Sequence, residues 1–188
     1  MRYLRNAVSV SKLFLDHYIE PGMTVVDGTV GNGNDTLYFC NEVGRNGKVI
    51  GFDIQEQAIV NTKALLNEHS VTAKVQLFQE SHEDIKAFVK EPVDIVHFNL
   101  GYLPNTDKTI RTTISSTKIA VIRSLELLTV GGVLSMVFYP GHPEGKEEFD
   151  VLSTFFSNLD QQYYSVSKTE FINQVNDPPV LVIVEKRK

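Results

Sequence analysis

A short apolar run, Thr24-Val25-Val26-Asp27, empties into a glycine-rich turn, Gly28-Thr29-Val30-Gly31-Asn32-Gly33, and a second run that begins at Lys48 ends on Asp53. No other feature of the chain restricts its fold as much. Glycine lets the backbone bend sharply and approach a ligand, and a helix that starts at such a turn presents unpaired N–H groups. Two strands joined through a helix belong to a parallel pair, because an antiparallel pair needs only a hairpin. The crevice for a ligand then lies at the carboxyl ends of these strands.

The same alternation runs on through the chain. A helix over 35–42 follows the first turn, the second strand covers 48–53, and the next helix puts Ala58, Ile59, Thr62, Leu65 and Leu66 on one face. A third strand is read over 74–79, a short helix over 83–90 and a fourth strand over 93–98. After a long loop, 99–108, comes a helix carrying Ile114, Val121, Ile122, Leu125 and Leu128, ended by Gly131-Gly132, and then a fifth strand over 133–139. Pro143 opens a helix striped with Phe149, Leu152, Phe155, Phe156 and Leu159, and strands over 163–172 and 180–185 finish the chain with no helix between them. Repeated βα units predict a mostly parallel sheet with helices on both faces, and the last two strands predict an antiparallel hairpin at its edge. Seven strands so arranged describe the methyltransferase variant of the Rossmann-like α/β sheet. At the front, Val10, Leu13, Phe14 and Tyr18 have helical spacing within 6–19, and Pro21-Gly22 stop that helix. No repeat or linker divides the chain, so one domain is expected over 1–188, with the helix in 1–20 packed on it.

Composition narrows the setting. Hydrophobic residues make up 42% and charged residues 22% of 188, as in an ordinary globular protein. No apolar run approaches the roughly 18 residues of a membrane span. The start lacks the pattern of a signal peptide. A lone cysteine, Cys40, excludes an internal disulfide and any multi-cysteine metal site, so a cytoplasmic address and no metal are expected. The net charge of −5 argues against a generic nucleic-acid coat but allows a local basic face. Lys108, Arg111, Lys118 and Arg123 fall close together, and Lys186, Arg187 and Lys188 end the chain; taken alone these read as a solvated helix face and a frayed tail.

A glycine turn with an acid at the second strand fits either NAD or S-adenosylmethionine. In the dinucleotide pattern counted from Gly31, Thr36 stands where the third glycine belongs, and Asp27 would repel a pyrophosphate. A sulfonium and an ammonium would welcome that carboxylate, so S-adenosylmethionine is the cofactor expected. From the first turn its candidate contacts are Asp27, Thr29, Gly31, Asn32, Gly33, Asn34, Asp35 and Thr36. Asp53 would accept from the ribose hydroxyls with Gln55 beside it, Ser81 and His82 would lie over the adenine, and Asn99 at the end of the fourth strand would also touch the cofactor. Ser81 also reads as a cap on the next helix.

The fourth strand leads into Asn99-Leu100-Gly101-Tyr102-Leu103-Pro104 at the crevice. Its place resembles that of the loop in which amino methyltransferases carry an Asn or Asp, then Pro and an aromatic residue. The Asn99 oxygen would hold the target N–H groups while the Tyr102 ring stacks on the target, an orientation effect. The loop after the fifth strand, 139–146, holds Tyr139, Gly141 and His142, the last a proton acceptor near neutral pH. The loop 173–179 is too polar and too rigid for an ordinary hairpin turn.

Four segments together resemble a small class I methyltransferase family labelled putative rRNA methylase: Asp-Gly-Thr-Val-Gly-Asn-Gly-Asn-Asp-Thr (27–36), Asn-Leu-Gly-Tyr-Leu-Pro (99–104), Tyr-Pro-Gly-His-Pro-Glu-Gly-Lys-Glu-Glu (139–148) and Asn-Gln-Val-Asn-Asp-Pro-Pro (173–179). The resemblance covers nearly the whole chain and departs in small ways, such as Gly28 where Ala is expected. It implies methylation of the 5-aminomethyl group of a wobble 2-thiouridine in tRNA, giving 5-methylaminomethyl-2-thiouridine. Asn99, Tyr102, Asp107 and His142 would then do the chemistry. Tyr102, Pro104, Lys108, Arg111, Tyr139, Gly141 and His142 would meet an anticodon stem-loop, and a homodimer is left open. The alternatives are a base-amine or small-molecule amine N-methyltransferase, a non-catalytic S-adenosylmethionine-binding subunit and, more distantly, a nicotinamide dehydrogenase.

Overall fold

The structure is a computed structural model that describes residues 4–101 and 113–188. Its seven strands are β1 (Thr24–Asp27), β2 (Lys48–Phe52), β3 (Lys74–Phe78), β4 (Val93–Asn99), β5 (Leu128–Phe138), β6 (Tyr164–Thr169) and β7 (Val180–Lys186). They form one sheet in the order β3-β2-β1-β4-β5-β7-β6. The first five run parallel, whereas β7 pairs antiparallel with β5 on one side and with β6 on the other. The terminal hairpin is therefore present, with its second strand slotted inside the first. In β7 the run Val180 to Val184 is apolar and buried, while β6 is exposed along most of its length, which is why β6 takes the edge.

Strand alternation sorts the core into two layers. Val25, Val49, Ile95, Val133 and Val137 face α1 (Ala7–Leu15), α2 (Asn34–Val43) and α3 (Glu56–Glu68). Val26, Ile50, Val96, Leu134 and Met136 face α4 (Ile85–Phe88), α5 (Ile114–Leu127) and α6 (Pro143–Ser157). Among the boundaries that differ from the sequence reading, three have a visible cause. The N-terminal helix stops at Leu15 rather than near residue 19, since Tyr18 and Ile19 fold back as a turn onto the Leu15 carbonyl. The stretch read as a helix over 83–90 is a 3-10 turn, His82–Asp84, followed by the single turn α4.

The third difference is at Gly131-Gly132, which lie inside β5 and not at a helix end. Pairing steps from Val93↔Leu128 to Ile95↔Val133, so the extra residues of β5 bulge out, with Gly131 at φ +82°. The end of α5 is capped instead by Lys186, whose Nζ donates to the carbonyls of Leu125, Glu126 and Leu128 at 3.1, 3.3 and 2.7 Å. Arg187 donates to the Gln161 carbonyl at 3.0 Å, and the Lys188 ammonium lies 5.9 Å from the centre of the Tyr163 ring. The basic end of the chain is thus docked rather than frayed. Among the described residues no helix is long and apolar enough to cross a membrane.

Candidate active site

The loops after β1, β4 and β5 meet at the carboxyl end of the sheet. In the first of them Gly31 and Gly33 take φ of +53° and +81°, a backbone only glycine adopts freely, and Gly33 leads into α2. The second strand closes over this turn. Asp53 Oδ2 accepts from the Gly31 N–H at 2.8 Å, and its Oδ1 accepts from the Gln55 N–H at 2.9 Å. Burial raises the Asp53 pKa, and the bonds from Gln55 and Gly31 oppose that rise. Each oxygen keeps a lone pair for a further donor. Asn32 reaches back to α3, accepting from Asn61 Nδ2 at 3.1 Å, and Asn34 is exposed at the start of α2.

Asp27 is placed differently from the expectation that it faces the donor. It is 0% exposed, and its two oxygens accept from the Thr29 N–H at 3.1 Å and the Thr36 hydroxyl at 2.6 Å. Its carboxyl braces the turn from below. Burial pushes its pKa up to about 6, helped by the Asp35 charge and opposed by His97, Thr36 and Thr29. A folded value above the unfolded one means the folded chain binds the extra proton between roughly pH 4 and 6. The stability this group contributes is full below that window and is lost as pH rises through 6, on the order of 2–3 kcal/mol. Asp27→Asn should flatten this fall in thermal melts taken between pH 4 and 7. An Asn variant with the wild-type slope would place the titration elsewhere.

Ser81 caps the 3-10 turn, its Oγ accepting from the Glu83 N–H at 3.3 Å, as the capping alternative anticipates. His82 is buried beside it. Burial lowers its pKa, so the ring is neutral, and Nδ1 donates to the Gly28 carbonyl at 3.2 Å. Its Nε2 is then an acceptor, buried and without a hydrogen-bond partner among the described residues.

Asn99 ends β4, and its backbone N–H donates to Thr29 Oγ1 at 2.7 Å, tying the fourth strand to the glycine turn. Its side chain is held at both ends. Nδ2 donates to Asp35 Oδ2 at 3.1 Å, and Oδ1 accepts from the Tyr139 hydroxyl at 2.8 Å. Asp35 in turn meets Lys12 Nζ at 2.9 Å and His97 Nε2 at 3.7 Å. Burial alone would raise the Asp35 pKa, but His97 and Lys12 hold it well below the usual carboxylate range. Behind His97, Nδ1 lies 3.2 Å from Ser135 Oγ, which is 2.9 Å from Ser11 Oγ on α1. Sequence reasoning missed Lys12, His97, Ser135 and Ser11. The available signal was a polar residue at an inward position of an apolar strand, His97 in β4 and Ser135 in β5.

The Tyr139 ring packs over Gly101, where an added Cβ would come within 3.3 Å of it, so this ring is anchored and not a loose platform. Burial and the Asp35 charge raise its pKa, with the bond to Asn99 opposing. His142 is the N-cap of α6, its Nδ1 accepting from the Gly145 N–H at 3.0 Å. A neutral ring bonded that way carries its proton on Nε2 and has no open lone pair, contrary to the reading of His142 as proton acceptor. The longer 3.5 Å contact from Nδ1 to Glu144 Oε2 becomes an ion pair only on a protonated ring, so the shorter backbone bond sets the neutral tautomer. Gly141 approaches the Asn176 and Asp177 carbonyls, which brings the loop 173–179 to the same end of the sheet. Lys118 is exposed on α5, whereas Arg123 is occupied by the Glu83 carbonyl and by Asp84 at 3.6 Å. Tyr102, Pro104, Asp107, Lys108 and Arg111 lie outside the described residues.

Comparison with known proteins agrees with this geometry. A crystal structure described as a putative rRNA-methylase from Clostridium thermocellum superposes with a TM-score of 0.94 at 40% identity, covering 97% of this chain and 98% of that one. A putative methyltransferase from Streptococcus mutans, solved in complex with SAH, superposes with a TM-score of 0.88 at 35% identity over 97% and 99% of the two chains. In sequence, the chloroplastic tRNA (mnm(5)s(2)U34)-methyltransferase of Arabidopsis thaliana is 38% identical over 98% of this chain and 70% of its own length. The family model described as Putative rRNA methylase matches residues 49–185, and the chain belongs to that family.

Proposed function

We propose that the chain moves a methyl group from S-adenosylmethionine to the amine of 5-aminomethyl-2-thiouridine at the tRNA wobble position, giving 5-methylaminomethyl-2-thiouridine. The observation that carries this reading is Asn99, locked at the end of β4 beside the glycine turn with its amide oxygen on the Tyr139 side. The 38% identical Arabidopsis relative, named for that modification, supports the acceptor, and the Streptococcus mutans neighbour solved with SAH supports the donor.

The residues present fit that donor. The turn 27–36 carries no Lys or Arg that would repel a cationic ligand. Asp53 offers its spare lone pairs to a ribose, and the unpartnered His82 Nε2 offers an acceptor to a ring amine. When bound, S-adenosylmethionine supplies an electrophilic methyl group on a sulfonium. The remaining work is orientation. Asn99 Oδ1 would hold an acceptor N–H on its second lone pair, and Tyr102 and Tyr139 would flank the base. An unpaired wobble base enters such a site without melting a helix. An aliphatic amine is protonated at neutral pH, so the site must favour its neutral form. With the His142 lone pair in use, Asp107 is the candidate that remains for that proton. Phosphate contacts are assigned to Lys108, Arg111 and Lys118, and the anticodon stem-loop to this face. We place the protein in the cytoplasm, a reading its one free and buried thiol, Cys40, supports.

Purified protein with methyl donor should convert aminomethyl-bearing tRNA and leave tRNA lacking that group untouched, as read by nucleoside mass spectrometry. Equal methylation of both, or a preference for rRNA, would overturn the acceptor. The donor site has its own test. Asp53→Ala removes a charge-assisted acceptor and should weaken S-adenosylmethionine binding by on the order of 1.5–3 kcal/mol. Unchanged affinity by calorimetry would take Asp53 out of the site.

A further inference from the structure

An amide side chain has two unlike ends, and an Asn that must hold an amine N–H is useful in only one of its two orientations. What decides between them here is one carboxylate. Asn99 Nδ2 faces Asp35 Oδ2 at 3.1 Å while Oδ1 faces the Tyr139 hydroxyl at 2.8 Å. An ionised carboxylate only accepts, so turning the amide over would set Oδ1 against Asp35 and strand two acceptors on each other. That constraint exists only while Asp35 keeps its charge in a place where its side chain is 12% exposed. Lys12, from the N-terminal helix, supplies the compensating cation at 2.9 Å. His97 stands at 3.7 Å on the other oxygen.

The same contacts argue against a different job for Asp35. Its Oδ1 meets Lys12 and its Oδ2 meets Asn99 and His97, so both oxygens are already engaged within the protein. We propose that Asp35 and Lys12 are positioning residues for methyl transfer: the Lys12–Asp35 ion pair sets which way round the Asn99 amide stands. This rests on the methyl transfer proposed above, and replaces the expectation that Asp35 contacts the cofactor. It also gives α1 a part in the site. The helix lies far from the glycine turn in sequence, yet Lys12 reaches the first turn of α2 because α1 and α2 pack on the same face of the sheet.

Three variants test it, Lys12→Met, Lys12→Arg and Asp35→Asn, each compared with the wild type on aminomethyl-bearing tRNA. Lys12→Met and Asp35→Asn should lower kcat by roughly 10- to 100-fold, the scale of a misplaced reacting group, with KM for S-adenosylmethionine within about threefold. Lys12→Arg, which restores the cation, should recover to within about fivefold of wild type. Calorimetry with S-adenosylhomocysteine reads the donor side without any acceptor. A loss of tenfold or more in that affinity for Asp35→Asn would make Asp35 a donor contact and overturn the proposal. The Asn99 side-chain amide resonances should move in Lys12→Met and return in Lys12→Arg; resonances indifferent to both would also overturn it. If the wild type ignores the aminomethyl tRNA, the acceptor reading fails by itself, and the amide resonances still decide this one. Lys12 is at the protein surface, so its variants remain informative if Asp35→Asn does not fold.

Discussion

Asn99→Ala should cut turnover of the aminomethyl acceptor by roughly 100-fold or more while affinity for S-adenosylmethionine stays within about threefold. The Asn99 backbone N–H, which holds Thr29 Oγ1, survives the substitution, so the glycine turn keeps its tie to β4. What disappears is the amide between Asp35 and Tyr139. Two groups then lose a partner at once: the Tyr139 hydroxyl loses its acceptor and one oxygen of a part-buried, ionised Asp35 loses a donor. Asn99→Asp should not rescue activity. It would set a second carboxylate 3.1 Å from the oxygen that now accepts from Nδ2, and like charges that close are unfavourable in a part-buried site. Steady-state kinetics with both substrates varied separates the outcomes. Normal turnover in Asn99→Ala, or an active Asn99→Asp, would mean that the acceptor is held elsewhere.

The second large effect is on stability, and helix propensity gives it the opposite sign. Gly145 lies in the first turn of α6, where Ala is intrinsically better than Gly by about 1 kcal/mol. A Cβ there would nonetheless sit 2.2 Å from the Tyr139 carbonyl oxygen and 2.6 Å from Cε1 of the His142 ring. The oxygen is backbone and cannot swing aside, so the loop after β5 has to open. Opening it also pulls His142 off the Gly145 N–H that it caps. Gly145→Ala should therefore cost about 2–4 kcal/mol in denaturant unfolding, in line with overpacked sites. Gly131→Ala serves as the control: φ is +82° but nothing lies within 4 Å, so only backbone strain of about 1 kcal/mol is expected. A Gly145→Ala midpoint at or above wild type would contradict the close approach.

Period and punctuation made much of this protein legible from its residues alone. Val25, Val26 and Asp27 running into glycine, and Lys48 running to Asp53, are local patterns, and local patterns specify strands, turns and parallel connection without knowledge of the rest of the chain. The glycine turn and Asp53 could be placed together for the same reason, since a βα unit brings the ends of adjacent parallel strands side by side. Two strand-length segments with no helix between them determined the antiparallel pair at the end.

Other features depend on which elements become neighbours, and no local pattern carries that. Gly131-Gly132 look like a helix stop, but the α5 carbonyls are capped by Lys186, about sixty residues away, and the glycines fall in a strand bulge. Asp27, Asp35 and His142 look alike in sequence, as polar groups on candidate loops, and tertiary contacts assign each a different task. Asp27 is sealed beneath the turn, Asp35 is pinned by Lys12 and Asn99, and His142 is committed to a helix cap. His97 and Ser135 stood out only as polar residues in apolar strands and Lys12 not at all, because only the stacking of α1 and α2 on one sheet face puts the three together. Residue types and spacing determine what groups the chain offers and which element each rides on. Whether an offered group is buried, paired or free is set by long-range packing, and in a low-dielectric interior that packing decides its charge and therefore its chemistry.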